Sequence, residues 1–481
     1  MLPFDLPVPA WALTLGTVAL YAVAIVSGIH AVMTARTSQG GIAWVIGIAS
    51  LPLLVLPFYW VFGHAKFGEY VTALRLFDDD IRARMNEVRT AVEERYVVEP
   101  DDLRGEQRAF RDLATLPFTC GNNARLLVDG DATFEAIFDA IDAAEDYVLA
   151  QFFIVHDDRI GTQFQAALTA AARRGVRTYF LYDEVGSSKL PRRYLRTLRE
   201  AGVHVTSFSG RRWWLGRLRL NFRNHRKIVV ADGQQAFVGG LNVGDEYLGR
   251  DPDFGPWRDT HLAIEGPSVQ GVQLSFFRDW YWSTGDVLHL AWEPHPCSED
   301  RRALVLATGP ADDLETCGLF YAHAIQSAET RVWIASPYFV PDGGVLTALQ
   351  VAALRGVDVR VLIPRKADHL PFKFVHYAYL HQTEPAGVRI YRYDEGFMHQ
   401  KVCLVDDDFA AVGTANLDNR SFRLNFELTM LYADRAFAGD VAAMLARDFA
   451  RSTPLTLADY QAKSFPFRLA VRATQLIAPV L

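Results

Sequence analysis

Cysteine is scarce in this chain, and so is surplus positive charge. Four cysteines (Cys120, Cys297, Cys317, Cys403) are scattered over 481 residues, with no CxxC pair and no Cys/His ligand spacing. That argues against a disulfide framework and a structural zinc site, and fits a reducing compartment. Cys403 is flanked by Val402 and Leu404, which reads as a buried strand position and not as a reactive thiol. Lysine and arginine total 49 against 56 aspartates and glutamates, for a net charge of −7. A general nucleic-acid binder carries the opposite balance, so no nucleic-acid partner is expected and any anion site must be a local concentration of cations. Half of the residues are hydrophobic, enough for a large core and more than one domain.

Charge is missing altogether from two stretches near the amino terminus. Pro9–Ile29 and Ile42–Phe62 each run 21 residues without a charged side chain, and about 20 apolar residues cross a hydrocarbon core as a helix. A cleaved signal peptide fits poorly, because MLPFDLP has no Lys or Arg and a second span follows. With Trp11, Tyr59 and Trp60 placed for the interface, residues 1–63 are expected to form a transmembrane hairpin. Pro52 and Pro57 would kink its second helix without stopping it from spanning. Only Arg36 lies between the spans, whereas Lys66, Arg75, Arg82, Arg84 and Arg89 follow them. The positive-inside rule then puts both termini, and the bulk of the chain, in the cytoplasm. Residues 64–115 read as a polar connector.

The remainder repeats itself. ATFEAIFDAIDAAEDYVLAQFFIV (132–155) and DLETCGLFYAHAIQSAETRVWIASPYFV (313–340) share a layout of helix, then short apolar strand. Each is followed by a helix closed by a glycine, Gly175 or Gly356, and by another strand. Helices alternating with apolar strands imply an α/β fold whose mixed sheets are largely parallel. The expectation is two halves, 116–295 and 296–481, packed as a pseudo-twofold pair.

Each half reaches the same pattern. NHRKIVVADG and MHQKVCLVDDD both hold H-x-K-x-x-x-x-D, at His225, Lys227, Asp232 and at His399, Lys401, Asp406. If both motifs meet at the pseudo-dyad, one imidazole can attack phosphorus while the other protonates the departing alkoxide. Each lysine shares a strand face with its histidine and can offset phosphate charge. Downstream, GGLN and GTAN offer Asn242 and Asn416 as donors to phosphate oxygens, with glycines that let the backbone approach closely. The spacing of Asp232 and Asp406 favours a turn role. Two equivalent later strands open with carboxylates, and local order assigns Asp259 to orient His225 and Glu427 to orient His399. The stretch 211–227 interleaves Arg211 and Arg212 with Trp213 and Trp214, an arrangement suited to an anionic membrane surface. The segment 465–481 reads as a second amphipathic contact.

HRKIVVAD…GGLN and HQKVCLVD…GTANLDNRS resemble the paired HKD motifs of the phospholipase D superfamily. LYDEVGS, LNFRNHRKI, WRDTHLAIEGP, SPYFVPD and NRSFRLNFE, with the amino-terminal hairpin, narrow the resemblance to bacterial cardiolipin synthases. The resemblance implies two phospholipase D-like halves and an inner-membrane phosphatidyltransferase of phospholipid biosynthesis. It implies that His225, Lys227, Asp232, His399, Lys401 and Asp406 form the catalytic set. The implied partners are phosphatidylglycerol and cardiolipin in the bilayer. The reaction passes through a phosphatidyl-histidine and releases glycerol, and no metal or nucleotide cofactor is implied. The superfamily analogy makes His225 the nucleophile. A phospholipase D-type hydrolase, a transferase using phosphatidylethanolamine or another alcohol, and a superfamily nuclease are the alternatives.

Overall fold

The structure, a computed structural model, describes residues 9–35, 37–63, 70, 86, 89–92, 95–103, 105–208 and 222–478. Arg211, Arg212, Trp213, Trp214 and much of the connector lie outside the described residues. The chain divides into two compact units, Met1–Glu69 with Arg212–Phe222, and Tyr70–Arg211 with Arg223–Leu481.

In the first unit, α1 (Ala10–Thr34) is one uninterrupted helix. The second apolar stretch is not. It forms α2 (Ser38–Ser50) and α3 (Pro52–Phe62), broken at Leu51 with φ −139° and ψ 63°. Pro52 is the cause: its ring disfavours helical backbone in the residue before it, and it is itself well suited to open a new helix. Pro52 therefore does more than kink this stretch. Among the described residues, α1 alone is long and apolar enough to cross a membrane as a single helix. Within the unit, Tyr59 Oη lies 2.5 Å from His30 Nδ1, and Trp60 Nε1 donates to Ser27 Oγ at 3.2 Å. These bonds tie α3 to α1.

The second unit is built on one sheet of sixteen strands among the described residues. Its main path uses β1 (Thr119–Val128), β2 (Tyr147–Phe152), β3 (Arg177–Tyr182), β4 (His204–Ser207), β5 (Ile228–Ala231), β6 (Gln235–Gly239) and β7 (Thr260–Glu265). It continues with β8 (Arg301–Thr308), β9 (Arg331–Ala335), β10 (Asp358–Pro364), β11 (Arg389–Tyr393), β12 (Val402–Val405), β13 (Phe409–Gly413), β14 (Asn425–Tyr432) and β15 (Ser452–Leu455). The order is β15-β11-β10-β9-β12-β13-β14-β8-β1-β7-β6-β5-β2-β3-β4. The series β4-β3-β2-β5-β6-β7-β1 and β11-β10-β9-β12-β13-β14-β8 use the same directions of pairing and join between β1 and β8.

The sheet is mixed, but it is not largely parallel. On this path β2–β3, β3–β4, β9–β10 and β10–β11 run parallel, and the other neighbours run antiparallel. The reason is local. β5–β6 and β12–β13 are each joined by three residues, and so short a connection can only return the chain antiparallel. Asp232 and Asp406 begin those turns with φ of 53° and 52°. Gly175 and Gly356, at φ 93° and 92°, close the preceding helices in the left-handed cap that the sequence suggests. Leu149, Ile228 and Val230 share a buried cluster with Val402, Leu404 and Met430, so both series contribute to a common core. Cys403 faces the other side of β12, in a separate buried cluster with Val405, Ile334 and Leu431, and burial pushes its thiol up to about 12.

Candidate active site

Both histidines sit just past a two-residue strand that pairs with the opposite series. Arg223–Asn224 pairs in parallel with Asn425–Phe426, and the His225 N–H donates to Phe426 O at 2.9 Å. Phe397–Met398 pairs likewise with Trp257–Arg258, and the His399 N–H donates to Arg258 O at 2.8 Å. Each histidine is thereby set beside the carboxylate of the other series. His225 Nδ1 lies 2.9 and 3.0 Å from the Glu427 oxygens, and His399 Nδ1 lies 2.9 Å from Asp259 Oδ2. The pairing that local order assigns is therefore exchanged: Glu427 serves His225, and Asp259 serves His399.

The two carboxylates are held differently. Glu427 also accepts from Thr414 Oγ1 at 2.6 Å, Ser421 Oγ at 2.8 Å and Asn425 Nδ2 at 3.2 Å. Asp259 accepts from the Thr260 N–H at 2.8 Å and from Trp257 Nε1 at 3.4 Å. Aromatic rings of Trp257, Phe397 and Tyr247 surround His399, whereas His225 meets the edge of Phe153.

Lys227 Nζ donates to His225 O at 2.6 Å, and Lys401 Nζ lies 2.8 Å from His399 Nδ1 and also bonds His399 O. Both lysines are buried. Burial, aided by both lysines and opposed by the paired carboxylate, lowers the pKa of each imidazole to about 4. Burial also brings Lys401 down to about 8 and Lys227 well below its usual value. Burial alone would raise Glu427 and Asp259. The paired histidine, the facing lysine and the hydrogen bonds that each accepts outweigh it and leave both carboxyls below the usual range. A phosphodiester anion between the lysines would oppose each downward shift of the cations, so this cluster favours an anion of that kind.

The comparisons with known proteins agree with this chemistry. The family model described as cardiolipin synthase, PLD-like domain, matches twice, over residues 137–258 and 321–451. Cardiolipin synthase A of Pseudomonas entomophila (strain L48) is 46% identical over 464 residues, covering 96% of this chain and 97% of that protein. Cardiolipin synthase A of Pseudomonas aeruginosa (strain LESB58) is 46% identical over 466 residues, 96% of this chain and 95% of that protein. This chain belongs to the cardiolipin synthase family. Its activity class is that of the phosphatidyltransferases. A crystal structure of phosphatidylserine synthase from Haemophilus influenzae Rd KW20 covers 79% of this chain and 100% of its own at a TM-score of 0.61. At 13% identity, that likeness concerns the fold alone.

Within the cardiolipin synthase motif, the aspartates are not part of the anion cluster. Asp232 accepts the backbone N–H groups of Glu145, Asp146 and Tyr147, and Asp406 accepts those of Glu329, Thr330 and Arg331. Each pins the turn after its motif strand to the start of the neighbouring strand, which corrects the catalytic role implied by resemblance. The asparagines differ too. Asn242 accepts from the Ile154 N–H at 3.1 Å and donates to Tyr247 Oη at 2.9 Å, so it braces its loop. Asn416 Oδ1 is buried with no hydrogen-bond partner among the described residues. Gly240 is small for Asp259, not for a ligand: a Cβ there would lie 2.0 Å from Asp259 Oδ1.

Sequence reasoning passed over the residue that follows each histidine. Arg226 pairs with buried Asp279 at 2.8 Å, and Gln400 Nε2 donates to buried Asp448 at 2.8 Å. Arg258, from the opposite series, completes the second network with bonds of 2.9 and 2.8 Å to Asp448. Neither aspartate lies in a recognisable motif; each sits on the long helix that follows β7 or β14.

Proposed function

We propose that this protein joins two phosphatidylglycerol molecules into cardiolipin and glycerol at a membrane, using the two histidines in turn. The supporting observation is the crossed latch. Two imidazoles from separate motifs, each held at Nδ1 by the other series' carboxylate, both feel Lys227 and Lys401. His225 Nε2 bonds to phosphorus, the phosphorus–oxygen bond to glycerol breaks, and His399 gives its proton to the departing oxygen. His399 then takes the proton of the second lipid's terminal hydroxyl. That oxygen bonds to phosphorus, and the phosphorus–nitrogen bond breaks. Lys227, Lys401 and the side-chain amide N–H of Asn416 donate to the non-bridging oxygens. The firmer seating of Glu427 supports His225 as the nucleophile, since a nucleophilic ring needs a fixed tautomer.

In this reading the halves 116–295 and 296–481 are related by a pseudo-twofold axis, and residues 64–115 connect them to a membrane hairpin. The exposed Trp11, Leu15, Ile25, Ile29 and Val32 on α1 support membrane insertion. A break at Pro52 is compatible with a second crossing by α2 and α3, whose 13 and 11 residues together reach about 36 Å. The cation asymmetry supports a cytoplasmic catalytic unit.

Purified protein in vesicles containing labelled phosphatidylglycerol should release glycerol and form cardiolipin. Phosphatidic acid as the only lipid product would instead make the protein a hydrolase. The kcat/KM for phosphatidylglycerol should fall on the alkaline side with an apparent pKa of about 8, as Lys401 loses its proton and the anion loses a counter-charge. A flat profile between pH 7 and 9.5 would remove Lys401 from that role.

A further inference from the structure

The helix Phe465–Leu476 carries two apolar stripes, and only one has a partner in the described protein. Phe467, Val471 and Thr474 face inward, at spacings of four and three residues. Phe467 packs against the rings of Phe374 and Tyr377 at 5.2 and 5.3 Å. On the other face Phe465, Leu469 and Leu476 are 69%, 58% and 83% exposed, again at helical spacing. Leu370, on the helix Leu370–Val375 that packs against this one, adds another side chain that is 70% exposed. A surface helix ordinarily turns its polar side outward. This one turns outward large apolar side chains that solvent alone does not favour.

Charge identifies what covers it. Between Ala462 and Leu476 there is no acidic residue, although the whole chain carries a net charge of −7. Lys463, Arg468 and Arg472 lie in and beside the helix. Lys463 sits 5.8 Å over the ring of Phe467, and Arg472 is exposed, bonding Gln475 at 3.2 Å. Long cationic side chains beside an apolar stripe keep their heads at the water boundary while their stems and neighbours enter apolar surroundings. A protein partner would need a matching acidic rim, whereas an anionic bilayer offers both chemistries over an unbroken surface.

We propose that the outer face of the helix Phe465–Leu476 docks on an anionic lipid surface, with Phe465, Leu469 and Leu476 inserted and Arg468 and Arg472 on the headgroups. The contact belongs to the catalytic unit and would hold that unit itself against the bilayer that supplies its substrate.

The test places a polarity-sensitive fluorophore on Ala473→Cys in the full chain, with Cys120 and Cys297 replaced by serine; Cys317 and Cys403 are buried. In vesicles containing phosphatidylglycerol, brominated acyl chains should quench the probe, and Phe465→Ser with Leu469→Ser should abolish most of that quenching. Arg468→Gln with Arg472→Gln should weaken it more in anionic than in zwitterionic vesicles. Circular dichroism and the thermal midpoint verify that each variant is folded. Absence of bromolipid quenching in the folded parent would overturn the proposal. So would a probe shielded by cross-linking between two copies of the chain, which would make the face a protein interface.

Discussion

Glu427→Gln should lower formation of the phosphatidyl-enzyme on His225 by about a thousandfold or more, whereas Asp259→Asn should leave that step largely intact when the leaving group needs no proton. A neutral amide in place of Glu427 no longer fixes the proton on His225 Nδ1, so Nε2 loses its free lone pair for much of the time. Thr414, Ser421 and Asn425 would still hold the side chain, so the loss reports the tautomer and not a collapsed site. Asp259 supports His399, whose task is to deliver and collect a proton. A phosphatidyl ester of p-nitrophenol bypasses the delivery. With that donor, Asp259→Asn should retain the burst of nitrophenol and then stall, because the acceptor's hydroxyl is no longer deprotonated. Mass spectrometry of the stalled enzyme should find the phosphatidyl group on His225. A burst that survives Glu427→Gln, or an adduct on His399, would reverse the roles of the two rings.

Why the pairing of those carboxylates could not be read in advance is instructive. Asp259 follows His225 within one copy of the repeat, and Glu427 follows His399 in the other, so sequence order suggests partners within a copy. The exchange depends on two strands of two residues each, Arg223–Asn224 and Phe397–Met398, too short to show any periodicity. What was legible follows from longer patterns. The helix–glycine–strand layout located Gly175 and Gly356, where a left-handed cap excludes most side chains. The H-x-K spacing placed each lysine beside its histidine. Strand direction was less legible because apolar content reports burial on both faces and not orientation. The three-residue turns at Asp232 and Asp406 decide it. Pro52 is visible in the sequence, but its effect falls on Leu51 before it as well as on its own missing N–H.

Asp279→Ala should cost about 3–5 kcal/mol of stability, the usual penalty for leaving one partner of a buried ion pair uncompensated. Asp279 is fully buried and gathers Arg226 Nη1 and Asn224 Nδ2 at 2.8 Å, Gln151 Nε2 at 2.9 Å and Tyr70 Oη at 3.0 Å. Two of these partners flank His225 in sequence, so the loss should reach the site as well as the fold. The Arg226 guanidinium also bonds Glu427 O at 3.0 Å and Thr308 O at 3.2 Å, and it would keep its charge while buried. Pairing the change with Arg226→Met removes the stranded cation and should recover a large part of the denaturation midpoint. Activity should recover less, because Asn224 still lacks its anchor and the strand that carries His225 toward Glu427 is only two residues long. If the single and double variants unfold at the same denaturant concentration, the charge on Arg226 is not what makes Asp279 necessary. If both remain fully active, the helix carboxylate has no part in aiming the histidine.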